Sequence, residues 1–173
     1  MDRVEITHVS VVACDIQTSI DWYQDIFGAE TIVRMPSPKH VGPTCWMRIG
    51  HLSIHLAGWK EPVDARPNHF GIGVLDLDLF HSIYIKARDR DLFDRTTFGS
   101  HIYEMPSGEI QMYLLDPYGN VVEVNFPDAS KVDRSIIDTM PKIAELYQPQ
   151  PEDAGQSTLF YWLRDLQAEG KAV

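Results

Sequence analysis

Cysteine is scarce: Cys14 and Cys45 are the only two in 173 residues and form no CxxC pair, which argues against a disulfide framework and against a zinc ribbon. Two isolated cysteines in a reducing compartment behave as small hydrophobes. Positive charge is also short. Lys and Arg total 15 against 25 Asp and Glu, a formal net charge of −10 without a basic cluster, and that is the wrong electrostatics for nucleic acid or an anionic membrane. No long apolar run occurs, so neither a signal peptide nor a membrane span is expected, and a cytoplasmic protein is. A phosphate loop, a Ser-His-Asp arrangement and zinc-finger spacing are missing as well. Gly71-Ile72-Gly73 falls inside an alternating apolar stretch and makes no nucleotide loop. The mixed-charge run from Arg88 to Arg95 reads as a solvated helix end.

What is present is a duplication. The segment from Thr7 to Ile16 lies over that from Asn68 to Leu77 at an offset of 61, with His8 on His69, Val11 on Ile72 and Asp15 on Asp76. Apolar residues alternate in both copies, so each is a strand, and the Asp seven positions after each His is placed to cap a helix. Each histidine then faces away from the apolar row. With 44% hydrophobic residues the chain suits one domain with a substantial core.

Strand, helix and three strands follow in order: about 6–13, 16–27, 30–34, 44–49 and 52–57. Ile16, Ile20, Tyr23 and Phe27 give the helix an apolar face, and Gly28 closes it. A polar connector from Gly58 to Pro67 leads into the second round, at about 69–74, 78–88, 101–105, 109–115 and 121–125. Pro106-Ser107-Gly108 and Asp116-Pro117-Tyr118-Gly119-Asn120 supply its turns. Past Pro127 the repeat stops. Gln148 to Gln156 reads as a linker, and Ser157-Thr158 caps a helix carrying Leu159, Trp162, Leu163 and Leu166.

Paired βαβββ modules, the stretch Ser19-Ile20-Asp21-Trp22-Tyr23 with Phe27-Gly28, and the ending Asp116-Pro117-Tyr118-Gly119-Asn120-Val121-Val122-Glu123 make the chain similar to the vicinal oxygen chelate superfamily over about residues 5–126. That superfamily includes glyoxalase I, methylmalonyl-CoA epimerase, fosfomycin- and bleomycin-resistance proteins and extradiol dioxygenases. The resemblance implies an α+β fold in which two modules, about 5–58 and 68–126, form a half-open barrel-like sheet around a metal site. The domain then spans 1–127, and 128–173 is a C-terminal helical extension. It further implies a divalent ion held by His8, His69 and Glu123, a small-molecule substrate chelated through two oxygens, and a homodimer, because related single-domain members build the cavity from modules of two subunits.

Strand alternation agrees with that ligand set. Glu123 shares a face with Val121 and Asn125, opposite Val122 and Val124; His69 sits with Gly71 and Gly73; His55 sits with Ser53, opposite Ile54 and Leu56. Two histidines and one carboxylate suit Fe(II) or Mn(II) with open positions, and Zn, Ni or Co are accommodated by the same donors.

His55 separates the reactions. By resemblance it is either a fourth ligand, as at the matching position of glyoxalase I, or an acid-base group outside the metal shell, as in extradiol dioxygenases; His51 is a second candidate. Tyr113, ten residues before Glu123, matches the substrate-binding Tyr of the extradiol signature. His101 lies farther upstream of Tyr113 than that pattern has it. Ring cleavage with His55 and Tyr113 as catalytic residues is the favoured reading. A lyase or isomerase of the glyoxalase or epimerase type is the alternative, and a resistance-type drug-binding protein is a further one.

Overall fold

Each repeated Asp does cap a helix. Asp15 accepts the Thr18 amide at 2.8 Å and Asp76 the Leu79 amide at 2.7 Å, satisfying first-turn donors of α1 (Ile16–Phe27) and α2 (Leu77–Asp89). Gly28 ends α1 in the left-handed region at φ 65°, where its lack of a Cβ removes the steric penalty. The computed structural model describes residues 6–36, 42–143 and 159–160.

Around the helices run β1 (His8–Ala13), β2 (Glu30–Met35), β3 (Thr44–Ile49), β4 (Leu52–Gly58), β5 (His69–Gly73), β6 (Ile102–Glu104), β7 (Ile110–Leu115) and β8 (Val121–Phe126). They form two four-stranded sheets of the same order, β1-β4-β3-β2 and β5-β8-β7-β6. In each, the first strand runs parallel to the last and the remaining pairs are antiparallel. This is βαβββ twice, an α+β fold of the expected kind. Ile20, Tyr23 and Ile26 of α1, Phe80 and Ile83 of α2, and Ile54, Leu56, Met112 and Val124 of the sheets share one continuous buried cluster. Asp25 ties the helices together by pairing with both Lys86 and Arg90.

A polar junction joins the modules. The side chain of Asn120, in the β7–β8 turn, accepts from Val12 N at 3.2 Å and donates to Val12 O at 2.8 Å. One carboxamide thus satisfies both backbone groups of a β1 residue, as a neighbouring strand would. Asp116 holds that turn in place: it accepts from Tyr118 N and Asn120 N at 2.9 Å, from Asn120 Nδ2 at 2.7 Å, and from the Tyr23 hydroxyl at 3.2 Å. The repeat ending Asp-Pro-Tyr-Gly-Asn is therefore a fastener between the second module and the α1 and β1 of the first. Burial pushes the Asp116 carboxyl above the usual carboxylate range in spite of these donors.

Asp116→Ala leaves four donors, three of them buried, without their acceptor, and the expected loss is about 2–4 kcal/mol in urea unfolding. A loss below about 0.5 kcal/mol, the size of an ordinary surface change, would remove the fastener assignment. Because the folded-state pKa of Asp116 is raised, the native state binds more protons than the unfolded chain in the window above the ordinary carboxylate value. Its contribution is complete below that value and is lost as pH rises through the folded pKa. The stability of Asp116→Asn relative to wild type should accordingly climb with pH across the acidic range.

Beyond Phe126 the chain adds a 3-10 turn, Ala129–Lys131, and a short helix α3, Arg134–Ile137. Neither was individually placed from sequence within the extension expected to be helical, since each is a single turn too short to show a period. Ala129, Val132, Ile136 and Met140 pack them onto the core. The helix expected from Ser157 lies outside the described residues apart from Leu159 and Phe160. The Leu159 amide donates to Glu109 Oε2 at 3.2 Å and Phe160 is buried. Among the described residues no helix is long and apolar enough to cross a membrane.

Candidate functional site

The face of the first sheet opposite the core carries His8 and Ser10 on β1, His55 on β4 and Trp46 on β3. Strand register sets Ser10 beside His55 and His55 beside Trp46. The Trp46 and His55 rings stack at 4.5 Å and 13°, and His8 meets Trp46 edge-on at 4.8 Å. His8 and His55 have ring centroids 6.4 Å apart. Burial, and secondarily the charge of His8, push the His55 imidazole below its ordinary value, so the ring is uncharged near neutral pH.

On the second sheet His69 of β5 stands over Glu123 of β8. His69 Nδ1 lies 2.8 Å from the Pro67 carbonyl oxygen, which only accepts, so Nδ1 carries the hydrogen and a neutral ring presents a lone pair at Nε2. That Nε2 is 3.1 Å from Glu123 Oε2. Two acceptors this close need a cation between them, either a ring proton or a metal ion. Two donors about 2.1 Å from one ion, at the right angle of octahedral coordination, lie about 3 Å apart. The pair therefore fits a divalent ion in chemistry and in spacing.

The other histidines are oriented in the same way. His8 Nδ1 is 3.1 Å from Thr7 Oγ1, and His55 Nδ1 is 3.3 Å from Ser10 Oγ. In all three rings Nδ1 is tied to the protein, which leaves Nε2 for a ligand, the arrangement that outer-shell hydrogen bonds give to metal-binding histidines.

The two halves are images of each other. Ser10, His55 and Trp46 form one cross-strand row of the first sheet; Gly71, Glu123 and Tyr113 form the same row of the second, with His8 and His69 two residues before their respective rows. His55 is thus the structural counterpart of Glu123, and Trp46 that of Tyr113. Tyr113 donates to Gln111 Oε1 at 3.0 Å, and its ring lies edge-on to His69 at 5.8 Å and against Phe98 at 4.4 Å.

Of the remaining sequence candidates, His51 is exposed in the β3–β4 turn, away from the strand face. The His101 ring lies against Phe93, a core residue, at 4.2 Å and a tilt of 35°. Ser10, Trp46 and Phe98 join the site without having been singled out from sequence. Trp46 was legible in principle, as an aromatic in the row of His55.

The structure brings together His8 with His55, and His69 with Glu123, on separate sheets. Among the described residues no group of three or more His, Cys, Asp or Glu side chains is gathered to hold an ion. A cleft of about 320 Å³ opens at the seam of β1 and β5, lined by Ser10, Asn68, His69, Phe70, Asn120 and Val121 among others. It does not gather His8, His55 and Glu123.

The faces also differ in cover. Tyr103, Tyr113, Val121 and Ile143 form a second apolar cluster over the β5-β8-β7-β6 sheet, so β8 is buried on both sides and Glu123 is only 6% exposed. The first sheet is open: Val33 and Met35, which register beside Trp46 and Thr44, are each 44% exposed.

Comparison with known proteins agrees with the repeat. The model of the Glyoxalase/Bleomycin resistance protein/Dioxygenase superfamily matches residues 5–124. No curated protein gives a significant match. Among solved structures, the oxidase ChaP-H2 shares 24% identity over 73% of this chain and 98% of its own, at a TM-score of 0.53. Lactoylglutathione lyase from Agrobacterium tumefaciens shares 20% over 73% and 96%, at 0.55. The fosfomycin resistance protein FosX of Listeria monocytogenes, in complex with Mn(II) and sulfate, shares 15% over 75% and 98%, at 0.55. Identities this low establish the fold and not a reaction. The chain belongs to the glyoxalase/bleomycin resistance protein/dioxygenase superfamily, the vicinal oxygen chelate group that its paired modules resemble.

Proposed function

We propose that this protein is a divalent-metal-dependent enzyme whose ion is held by His8, His69 and Glu123, and that it cleaves the ring of a small aromatic vicinal diol with O2. The observation that supports the reading is the approach of His69 Nε2 to Glu123 Oε2 at 3.1 Å, with His69 Nδ1 held by the Pro67 carbonyl. Fe(II) or Mn(II) suits this donor set best. Such an ion supplies stabilisation of the negative charge that develops on the two chelating oxygens.

The chain's own residues do the rest. With Nδ1 tied to Ser10, His55 takes the hydroxyl proton of the diol at Nε2, as a ring uncharged near neutral pH can. Tyr113 orients the substrate through its hydroxyl. Trp46 on one half and Phe98 on the other present flat aromatic surfaces to a planar ring.

The complete site lies between two copies of the chain, His8 and His55 of one facing His69 and Glu123 of the other. Supporting this are the separation of the pairs on two sheets and the exposed Val33 and Met35 beside Trp46, which a partner would cover. Residues 128–173 form an extension of this enzyme domain, 1–127.

A second reading has its own observation. Because His55 is the counterpart of Glu123 in the repeat, it fits the role of a fourth ligand, and the reaction is then a redox-silent isomerisation or lysis through an enediolate. Protein prepared with Fe(II) without oxygen, assayed for metal content and for O2 uptake with catechol, tests the choice. One ion per chain with catechol-dependent uptake is the expected result. Metal without uptake favours the second reading, and absence of metal binding overturns both.

A further inference from the structure

Besides Glu123, three groups surround the His69 ring. Pro67 O lies 2.8 Å from Nδ1, the Phe98 ring meets it edge-on at 5.4 Å, and the Tyr113 ring does so at 5.8 Å. Tyr113 is fixed by β7, whereas Pro67 and Phe98 stand on segments outside the strands. Pro67 lies in a turn closed by the Asn68 amide, which donates to Ala65 O at 2.6 Å. Phe98 follows a loop hung from Asp94, a carboxylate only 1% exposed that accepts from the amide and hydroxyl of Thr96, each at 2.9 Å, and from those of Thr97. The backbone of Asp94 is in turn bound to β7, its amide donating to Tyr113 O at 2.9 Å.

The Arg66 guanidinium joins the two segments. Its Nε and Nη2 donate to the two carboxylate oxygens of Asp64, at 2.6 and 2.9 Å, and its Nη1 donates to Thr96 Oγ1 at 2.6 Å. A planar fork bound at each of its nitrogens has its direction fixed, which a single flexible point charge does not achieve. Thr96 Oγ1 serves both neighbours because its one hydrogen goes to Asp94 while a lone pair accepts from Arg66. Arg66 immediately precedes Pro67, and Thr96 lies two residues before Phe98. The contact therefore spans from the carbonyl behind His69 to the ring beside it. Stability does not account for such a tie: the Arg66 and Asp64 side chains are 39% and 65% exposed, and ion pairs in that setting contribute little to folding.

We propose that Arg66 is a positioning residue for the metal ligand His69: by tying the turn of Pro67 to the loop of Phe98 it fixes the direction of the imidazole and so of its Nε2. The assignment rests on the reading above that His69 holds the ion, and it goes beyond that reading by naming what aims the ligand.

Co(II) alone is the probe, since its binding can be titrated and its visible absorption bands report the arrangement of donors around it. Wild type is compared with Arg66→Ala, Thr96→Val and the double variant. Each single substitution should weaken Co(II) binding about tenfold, the lower end of what outer partners of metal ligands contribute, and should shift the bands at saturating Co(II). The urea midpoint of metal-free Arg66→Ala should stay at the wild-type value, as for the loss of an exposed ion pair. Because both substitutions remove the same contact, the double variant should bind within about threefold of the weaker single one. Unchanged affinity or unchanged bands in Arg66→Ala, a loss of affinity accompanied by a lowered midpoint, or losses that multiply in the double variant overturns the assignment and leaves the ligand set standing. Wild type that does not hold Co(II) overturns the ligand set of the proposed function, and this assignment with it.

Discussion

Glu123→Ala protein is expected to fold and to lose its divalent ion. Outer-shell partners of metal ligands are worth about 10- to 100-fold in affinity, so deleting a ligand itself should weaken binding by at least about 100-fold. The fold should hold because Glu123 faces away from the main core, and its ion-pair partner is His69, itself a proposed ligand. Because the His69 ring can give up a proton once the carboxylate is gone, the cost in unfolding free energy is expected to stay below the about 3–5 kcal/mol of a broken buried ion pair. Metal content after dialysis, measured beside circular dichroism, decides the matter; full occupancy in the folded variant would sink the ligand set. The same variant tests whether the site is shared. If His8 comes from one copy and Glu123 from the other, subunits carrying His8→Ala mixed with subunits carrying Glu123→Ala form heterodimers with one intact site. Random reassortment then restores about a quarter of wild-type occupancy. A site contained in one chain would recover none.

His55→Ala carries the second large effect. As an acid-base group outside the metal shell, His55 should leave the ion in place when removed and take turnover down by about 10²- to 10⁴-fold. As a fourth ligand, its loss should weaken metal binding outright, and wild type should then consume no O2. Metal-replete and fully active His55→Ala protein would deny it either part and leave it a lining residue held by Ser10 and Trp46.

The capping aspartates, Gly28 and the element order were legible because each is a local decision: an Asx side chain meets an amide three residues on, and alternation assigns faces within one strand. The fixed offset of the duplication was also informative at the first strands, where it aligned His8 with His69. It fails at the fourth strands. Carried forward it sets His55 opposite Asp116, because the chain between the helix and the third strand is longer in the second module: Trp46 and its counterpart Tyr113 already stand 67 residues apart, and His55 and Glu123 stand 68 apart. Only strand pairing reveals that His55 answers to Glu123 and Trp46 to Tyr113.

Sequence alone therefore determined the duplicated α+β modules, the polar face on which the histidines and Glu123 stand, and the family resemblance that names them as ligands. Tertiary structure decided which of them meet. His69 reaches Glu123 because β5 pairs with β8, a strand more than fifty residues on, and His8 meets Trp46 and His55 because β4 and β3 fold back beside β1. It also decided that Asp116 and Asn120 fasten one module to the other and that the Asn125 carboxamide oxygen is buried without a hydrogen-bond partner. The reason is physical: alternation and capping are fixed by neighbours within a few positions, whereas burial and the approach of two acceptors depend on pairings between distant strands, which no local pattern specifies.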